Sequence, residues 1–283
     1  MASNDSVAQL RARWTPELTA AAIGFLQGDP SPLEIPVIYN EIVEHLADRM
    51  RVRKSHVIRL LDGRAGLLER LAADKTSLFV HSADEVMAMA LQAGGAIIRG
   101  WGASHLLRAV PHVVCVRVCA PFEVRKHRMM ERLNTEDEAD IRSEIQHNDE
   151  AHAAIVRRHF GVDWTDSAHY DLVLNTERVS VGECVDQVLA LMRSPGFAET
   201  DGTRRQLEDL ALAARVRAAL LRAAETHDKK IHVTSEGGRV TLWGVKRSTN
   251  EKLGFVEVAS AVEGVRDVAY RSRLPEEVPP RAA

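Results

Sequence analysis

The chain has few cysteines, few aromatic rings, no long apolar run and no lysine before Lys54. Each shortage excludes something. Three cysteines in 283 residues, Cys115, Cys119 and Cys184, make neither a disulfide framework nor a CxxC pair. They read as buried thiols and suit a reducing compartment. An aromatic content of 5%, set against abundant alanine and leucine, favours helices. No apolar run approaches the roughly 20 residues that a membrane span requires. The polar stretch from Met1 to Trp14 lacks the apolar core of a secretory signal, so a cytoplasmic protein is expected. A formal net charge of -3 gives no overall pull toward nucleic acid, which is not expected as a partner. The only glycines before residue 60 are Gly24 and Gly28. That stretch therefore has no glycine-rich loop ending in Lys and Ser or Thr, the device that points backbone N–H groups at phosphates. It reads as a connector.

What is present is clearly punctuated. Ser82-x-x-Glu85, Thr135-x-x-Glu138 and Ser180-x-x-Glu183 each have the pattern of a capping box. They are expected to open helices running to Leu91, to about His159 and to near Met192. Ala96–Arg99, Val113–Val118 and Leu172–Leu174 read as short strands. Pro121 suits the first turn of a helix carrying Glu123, Arg125 and Arg128. Upstream, Asn40–Met50 and Val57–Leu71 have helical apolar spacing. Such alternation predicts a parallel sheet covered on both faces. Residues 193–205 mix proline, glycine and charge and read as a flexible linker, and the Pro- and Glu-rich tail after Pro275 as disordered.

Past the linker the pattern changes. Leu210–Ala224 is an amphipathic helix by its spacing. Ile231–Thr234 and Val240–Gly244 alternate as strands joined through Glu236-Gly237-Gly238, with glycines where positive φ is wanted. A helix over Asn250–Val262 and a strand over Gly264–Val268 complete the unit. Residues 207–274 hold 12 basic and 9 acidic residues, against 24 and 29 in residues 1–206, a weak asymmetry only.

Four segments carry a resemblance: Ile97-Ile98-Arg99-Gly100-Trp101-Gly102-Ala103, Cys119-Ala120-Pro121-Phe122-Glu123-Val124-Arg125, Asp149-Glu150-Ala151-His152 and Tyr170-Asp171-Leu172-Val173-Leu174-Asn175-Thr176. In that order they resemble motifs of the cytidylate-kinase-like branch of the P-loop kinases, over roughly residues 35–192. The later unit resembles the BON domain family at Gly238, at Val240-Thr241-Leu242-x-Gly244 and at Val262-x-Gly264-Val265-x-x-Val268. The implied fold is α/β: a three-layer, parallel-sheet, P-loop-kinase-like domain over residues 30–195, then a smaller α+β BON domain over residues 207–274.

The resemblance implies a nucleotide or phosphate site at Gly100, Gly102, Arg125, Arg128 and Asp149, with the two arginines on donor phosphates. Such kinases work by positioning and charge neutralisation. Three departures weaken that chemistry here. The phosphate loop and its lysine are missing from the stretch before residue 60. Trp101 stands where the family has an arginine facing the acceptor nucleotide, and tryptophan offers no charged fork. His152 stands for the arginine of the family's Asp-x-x-Arg and carries at most a partial charge near neutral pH. His147, His152 and His159 lack the i, i+4 spacing of metal ligands, so no metal is expected.

The fold also implies a central strand leading into the missing loop. Leu33–Tyr39, Leu78–His81 or a strand from a second copy, which would make a homodimer, are the candidates to fill its place. The functional expectation is a catalytically degenerate relative, a nucleotide-binding or regulatory module with no assigned catalytic residue. The alternatives are an active nucleoside-monophosphate kinase using ATP and Mg²⁺, and an adaptor whose BON domain meets protein or anionic lipid. The BON domain is expected to be an independent unit, so that residues 200–283 fold alone and residues 1–199 keep their own fold.

Overall fold

The protein is described by a computed structural model covering residues 37–38, 75–91, 96–98, 100, 102–226, 231–244 and 248–272. The expectations for Asn40–Met50 and Val57–Leu71, for Arg99 and Trp101, and for the tail after Pro275 lie outside the described residues.

Phe79, Ala83, Val86 and Ala90 recur at helical spacing, and they lie on one helix, α1 (Lys75–Ala90). The apolar stripe begins upstream of Ser82. The expected capping box is therefore not formed: Ser82 is buried in mid-helix, and Leu78–His81 is helix rather than strand. His81, Asp84 and Glu85 are buried beside it, each with an interaction partner, as buried polar groups require. The Leu33–Tyr39 candidate does contribute a strand. Its Val37–Ile38 (β1) pairs in parallel with β2 (Ile97–Ile98), Val37 opposite Ile97. A short helix, α2 (Ala103–Leu106), follows.

The second parallel pair joins β3 (Val116–Cys119) to β4 (Leu172–Asn175). Asp171 fixes its register from the N-terminal end. It accepts from the Cys115 N–H at 2.7 Å through its carboxylate, returns its own N–H to the Cys115 carbonyl at 2.8 Å, and pairs with Arg108. Between the strands run α3 (Phe122–Leu133) and α4 (Glu138–Phe160). The cap of α4 is Asp137, which accepts from the Asp140 N–H at 3.0 Å, while Thr135 serves only the Asp137 N–H. The helix thus starts differently from the Thr135 box expected, because a carboxylate at the N-terminus answers both the orphan N–H groups and the helix dipole. The Ser180 box forms in both directions and opens α5 (Val181–Met192). Among the described residues β1–β2 and β3–β4 remain two separate parallel pairs, not one continuous sheet. The architecture is mixed α/β with a small parallel component and a second small sheet domain.

The largest departure from expectation is α6 (Asp201–Arg222). Thr200 caps it reciprocally with Thr203, so the latter part of the expected linker is helix. The helix begins nine residues before the Leu210 start read from the sequence. Leu207, Ala211 and Ala214 pack into a core with Phe79 and Val86 of α1 and Leu106 of α2. Leu212, Val216 and Leu220 pack into another, with Val233, Val240, Leu242 and Phe255. At 3.6 residues per turn, Leu207 and Val216 point about 180° apart. One helix therefore buries opposite faces in two cores.

The second core is closed by β5 (His232–Glu236), β6 (Arg239–Trp243), α7 (Thr249–Ser260) and β7 (Asp267–Arg271). β5 and β6 form an antiparallel hairpin, and β7 joins β6 in parallel through the α7 crossover. Gly237 and Gly238 turn the hairpin at φ 58° and 84°. A Cβ on Gly238 would also meet the Gly264 carbonyl at 3.0 Å, so only glycine fits. Trp243 is a packed strand residue whose Nε1 donates to Thr234 Oγ1 at 2.9 Å.

Candidate functional site

The strands of a parallel pair present their C-terminal ends to ligand. At that end of β3 and β4, Thr176 donates its N–H to the Cys119 carbonyl at 2.9 Å, which holds the two following loops together. Pro121, at φ −53°, sets the entry to α3 and so aims the first turns of that helix across the loops. Arg128 reaches Thr176, donating to its Oγ1 at 2.9 Å and its carbonyl at 2.5 Å. One turn earlier, Arg125 donates both terminal nitrogens to the two oxygens of Asp149 on α4, at 2.8 and 2.7 Å. That hydrogen-bonded carboxylate holds the Arg125 guanidinium above its ordinary pKa.

Around this fork lies a network of opposite charges. Lys126 is bound by Glu123 and Glu138, and Arg142 reaches both carboxylates, at 3.2 and 3.6 Å. The hydrogen bond from Lys126 is the first reason both glutamates sit below the usual carboxylate range. Arg128 differs: its partners here are the neutral oxygens of Thr176. Chemically, the arrangement offers two guanidinium groups on one helix, one of them already answered by a carboxylate.

The structure brings some of the expected site residues together and leaves others apart. Arg125 and Asp149 are in direct contact, with Arg128 next to them on α3. Gly100 and Gly102 belong to a different place. They adopt φ 77° and 68° at the entry to α2, and a Cβ on Gly102 would lie 2.7 Å from the ring of Phe160. Phe160 and Asp149 are eleven residues apart on α4, about 16 Å along the axis. His152 packs against Trp164, with ring centroids 5.7 Å apart, and Arg117 lies over the same indole.

Sequence reasoning missed a group of rings beside Phe160. His159 stacks on Phe79 with centroids 3.9 Å apart and planes 4° from parallel. His105 meets Phe160, His169 and Tyr170. The only signal was the local density of histidine and aromatic residues, because the contacts join segments far apart in the chain.

Burial pushes the His159 imidazole down from its ordinary 6.5 to about 4, with Arg158 adding to the effect. His105 is lowered by burial first, then by His169 and Arg108. A folded-state pKa below the unfolded value means that the unfolded chain binds more protons between the two. The contribution of His159 is therefore complete above its unfolded pKa and is lost as the pH falls from about 6.5 toward about 4. The expected loss is on the order of 1–2 kcal/mol, below the full linkage value because the ring is only partly buried. Thermal melts across that window should fall less steeply for His159→Phe, which keeps the stack without the titration. Equal slopes for the two proteins would refute it.

Residues 31–178 match the cytidylate kinase-like family and residues 208–272 match the BON domain. No curated protein matches the chain. Among solved structures, an uncharacterized protein from Eubacterium ventriosum is similar at 16% identity and a TM-score of 0.39, over 54% of this chain and 89% of that one.

Proposed function

The chain belongs to the cytidylate kinase-like family and carries a BON domain, and from that premise we propose a catalytically degenerate nucleotide-binding or regulatory protein. Its first domain is the three-layer kinase-like fold, and Arg125 and Arg128 mark what remains of the phosphate site. One observation carries this reading. The arginine that the family resemblance assigns to donor phosphates has both terminal nitrogens committed to Asp149. The sequence supports it: Trp101 stands at the acceptor position, where the family resemblance calls for an arginine. Transition-state charge on a transferring phosphoryl group is then largely unopposed, and each missing donor of that kind commonly costs about 3–4 kcal/mol. The protein acts in the cytoplasm, where nucleotide is abundant, and its BON domain meets a protein partner or anionic lipid.

The test is direct. The pure full-length chain should not phosphorylate CMP or dCMP with ATP and Mg²⁺. At low salt it should bind nucleotide weakly in isothermal titration, and Arg125→Ala/Arg128→Ala should abolish that binding. Robust Mg²⁺-dependent turnover would establish the active nucleoside-monophosphate kinase instead. Unchanged binding by the double variant would place the nucleotide elsewhere.

A second reading, an adaptor working through the BON domain, is favoured by Leu253. This leucine is 60% exposed on α7, the helix that covers the second core.

A further inference from the structure

Resting on the phosphate-site reading above, we propose that Asp149 is a built-in competitor for that site: its carboxylate fills the Arg125 fork, and an incoming phosphate group must displace it to bind. The geometry is that of a ligand. Two parallel N–H···O bonds of 2.8 and 2.7 Å join guanidinium to carboxylate, the same bidentate arrangement by which arginine grips a phosphate. Both side chains are about a third exposed, at 35% and 34%, so water and anions reach the pair and exchange is open to them.

Arg128 supplies the landing point. It is an exposed residue one turn from Arg125, and its guanidinium is bonded to neutral oxygens of Thr176. A phosphate chain arriving there has more charge to offer Arg125 than the single carboxylate of Asp149. The pair is also not the sole tie between its two helices. Lys126 to Glu138 and Arg142 to Glu123 tie α3 to α4 independently. What Asp149 adds is occupancy of the fork. The apparent affinity for an anion is then reduced by the fraction of molecules in which the fork is open.

The experiment titrates the full-length chain at low salt with ATP and, separately, with inorganic tripolyphosphate. The proteins are wild type, Asp149→Asn, Asp149→Ser and Asp149→Asn/Arg125→Ala, with melting curves recorded for each. Removing the carboxylate should tighten binding about five- to tenfold, the gain expected if the fork is open in a tenth to a fifth of molecules. The added Arg125→Ala should erase the gain. Tightening toward both probes identifies the phosphate chain as the group recognised, and tightening toward ATP alone adds the nucleoside; either result supports the competitor. If wild type binds through Arg125 but neither Asp149 variant binds more tightly, the competitor is refuted and the phosphate site stands. If no protein binds either probe while the variants melt like wild type, the phosphate site itself is refuted, and the competitor with it.

Discussion

Residues 1–199, expressed without the remainder, should fail to fold cooperatively. The cut removes α6, and with it Leu207, only 1% exposed, together with Ala211 and Ala214 from the core built on α1. It also removes two polar ties. Arg204 donates to the Leu91 carbonyl at 3.0 Å, just past the last turn of α1, and Gln206 donates to the Ala109 carbonyl at 2.6 Å. Truncating one buried leucine to alanine typically costs about 2–5 kcal/mol. Removing that leucine with two alanine neighbours and a whole helix face approaches the total stability of an ordinary domain, about 5–15 kcal/mol. Residues 200–283 keep the whole second core and should fold, while exposing the opposite face of α6. Circular dichroism melts of both fragments decide the matter. A cooperative transition for residues 1–199 near that of the full chain would show that α6 is dispensable to the first core. On this prediction the BON domain should be independent in one direction only.

Phe255→Ala should lower the stability of the entire chain, not only that of the second domain. Phe255 is fully buried, packs among Val233, Leu242 and Ala259, and meets Tyr270 at 6.4 Å between ring centroids. The cavity left by such a truncation costs about 3–5 kcal/mol. For a chain of this size that lowers Tm by roughly 5–8 °C. The shared helix makes the further claim. Leu207→Ala in the first core and Phe255→Ala in the second should shift one calorimetric transition in the same direction. Two transitions, each moved by one variant only, would mean that α6 does not couple the cores.

How far the sequence carried the reading depends on the range of the interaction concerned. The Ser180 box was legible because donor and acceptor lie three residues apart, and both halves form. β3 and β4 were legible because short apolar runs bounded by turn residues have few other uses. Ser82-x-x-Glu85 has the same local pattern, yet it lies inside α1, whose length is set by packing against α6, 120 residues away. Gly196, Pro195 and Gly202 drew the linker reading, but Thr200 caps a helix that packing then extends. The same division applies to the site. Arg125 and Arg128 were visible as a spaced pair on one helix, and the positive φ of Gly100 and Gly102 fits their place in a motif. That Asp149 answers Arg125 was not visible, because the contact crosses between helices and no local rule sets it. Nor was the separation of the two glycines from the arginines, which follows from where α4 begins and ends.

A helix read by two cores at once acts as a gauge of length. Adding one residue between Ala211 and Leu212 would turn everything after it by about 100° and advance it by about 1.5 Å. No single side chain would be lost, yet Val216 and Leu220 would face away from the hairpin. Between Leu207 and Leu220, natural or engineered variation should therefore run through substitutions, with insertions and deletions of single residues excluded. A fusion joint that exchanges either half for a foreign one belongs beyond Arg222, where α6 ends.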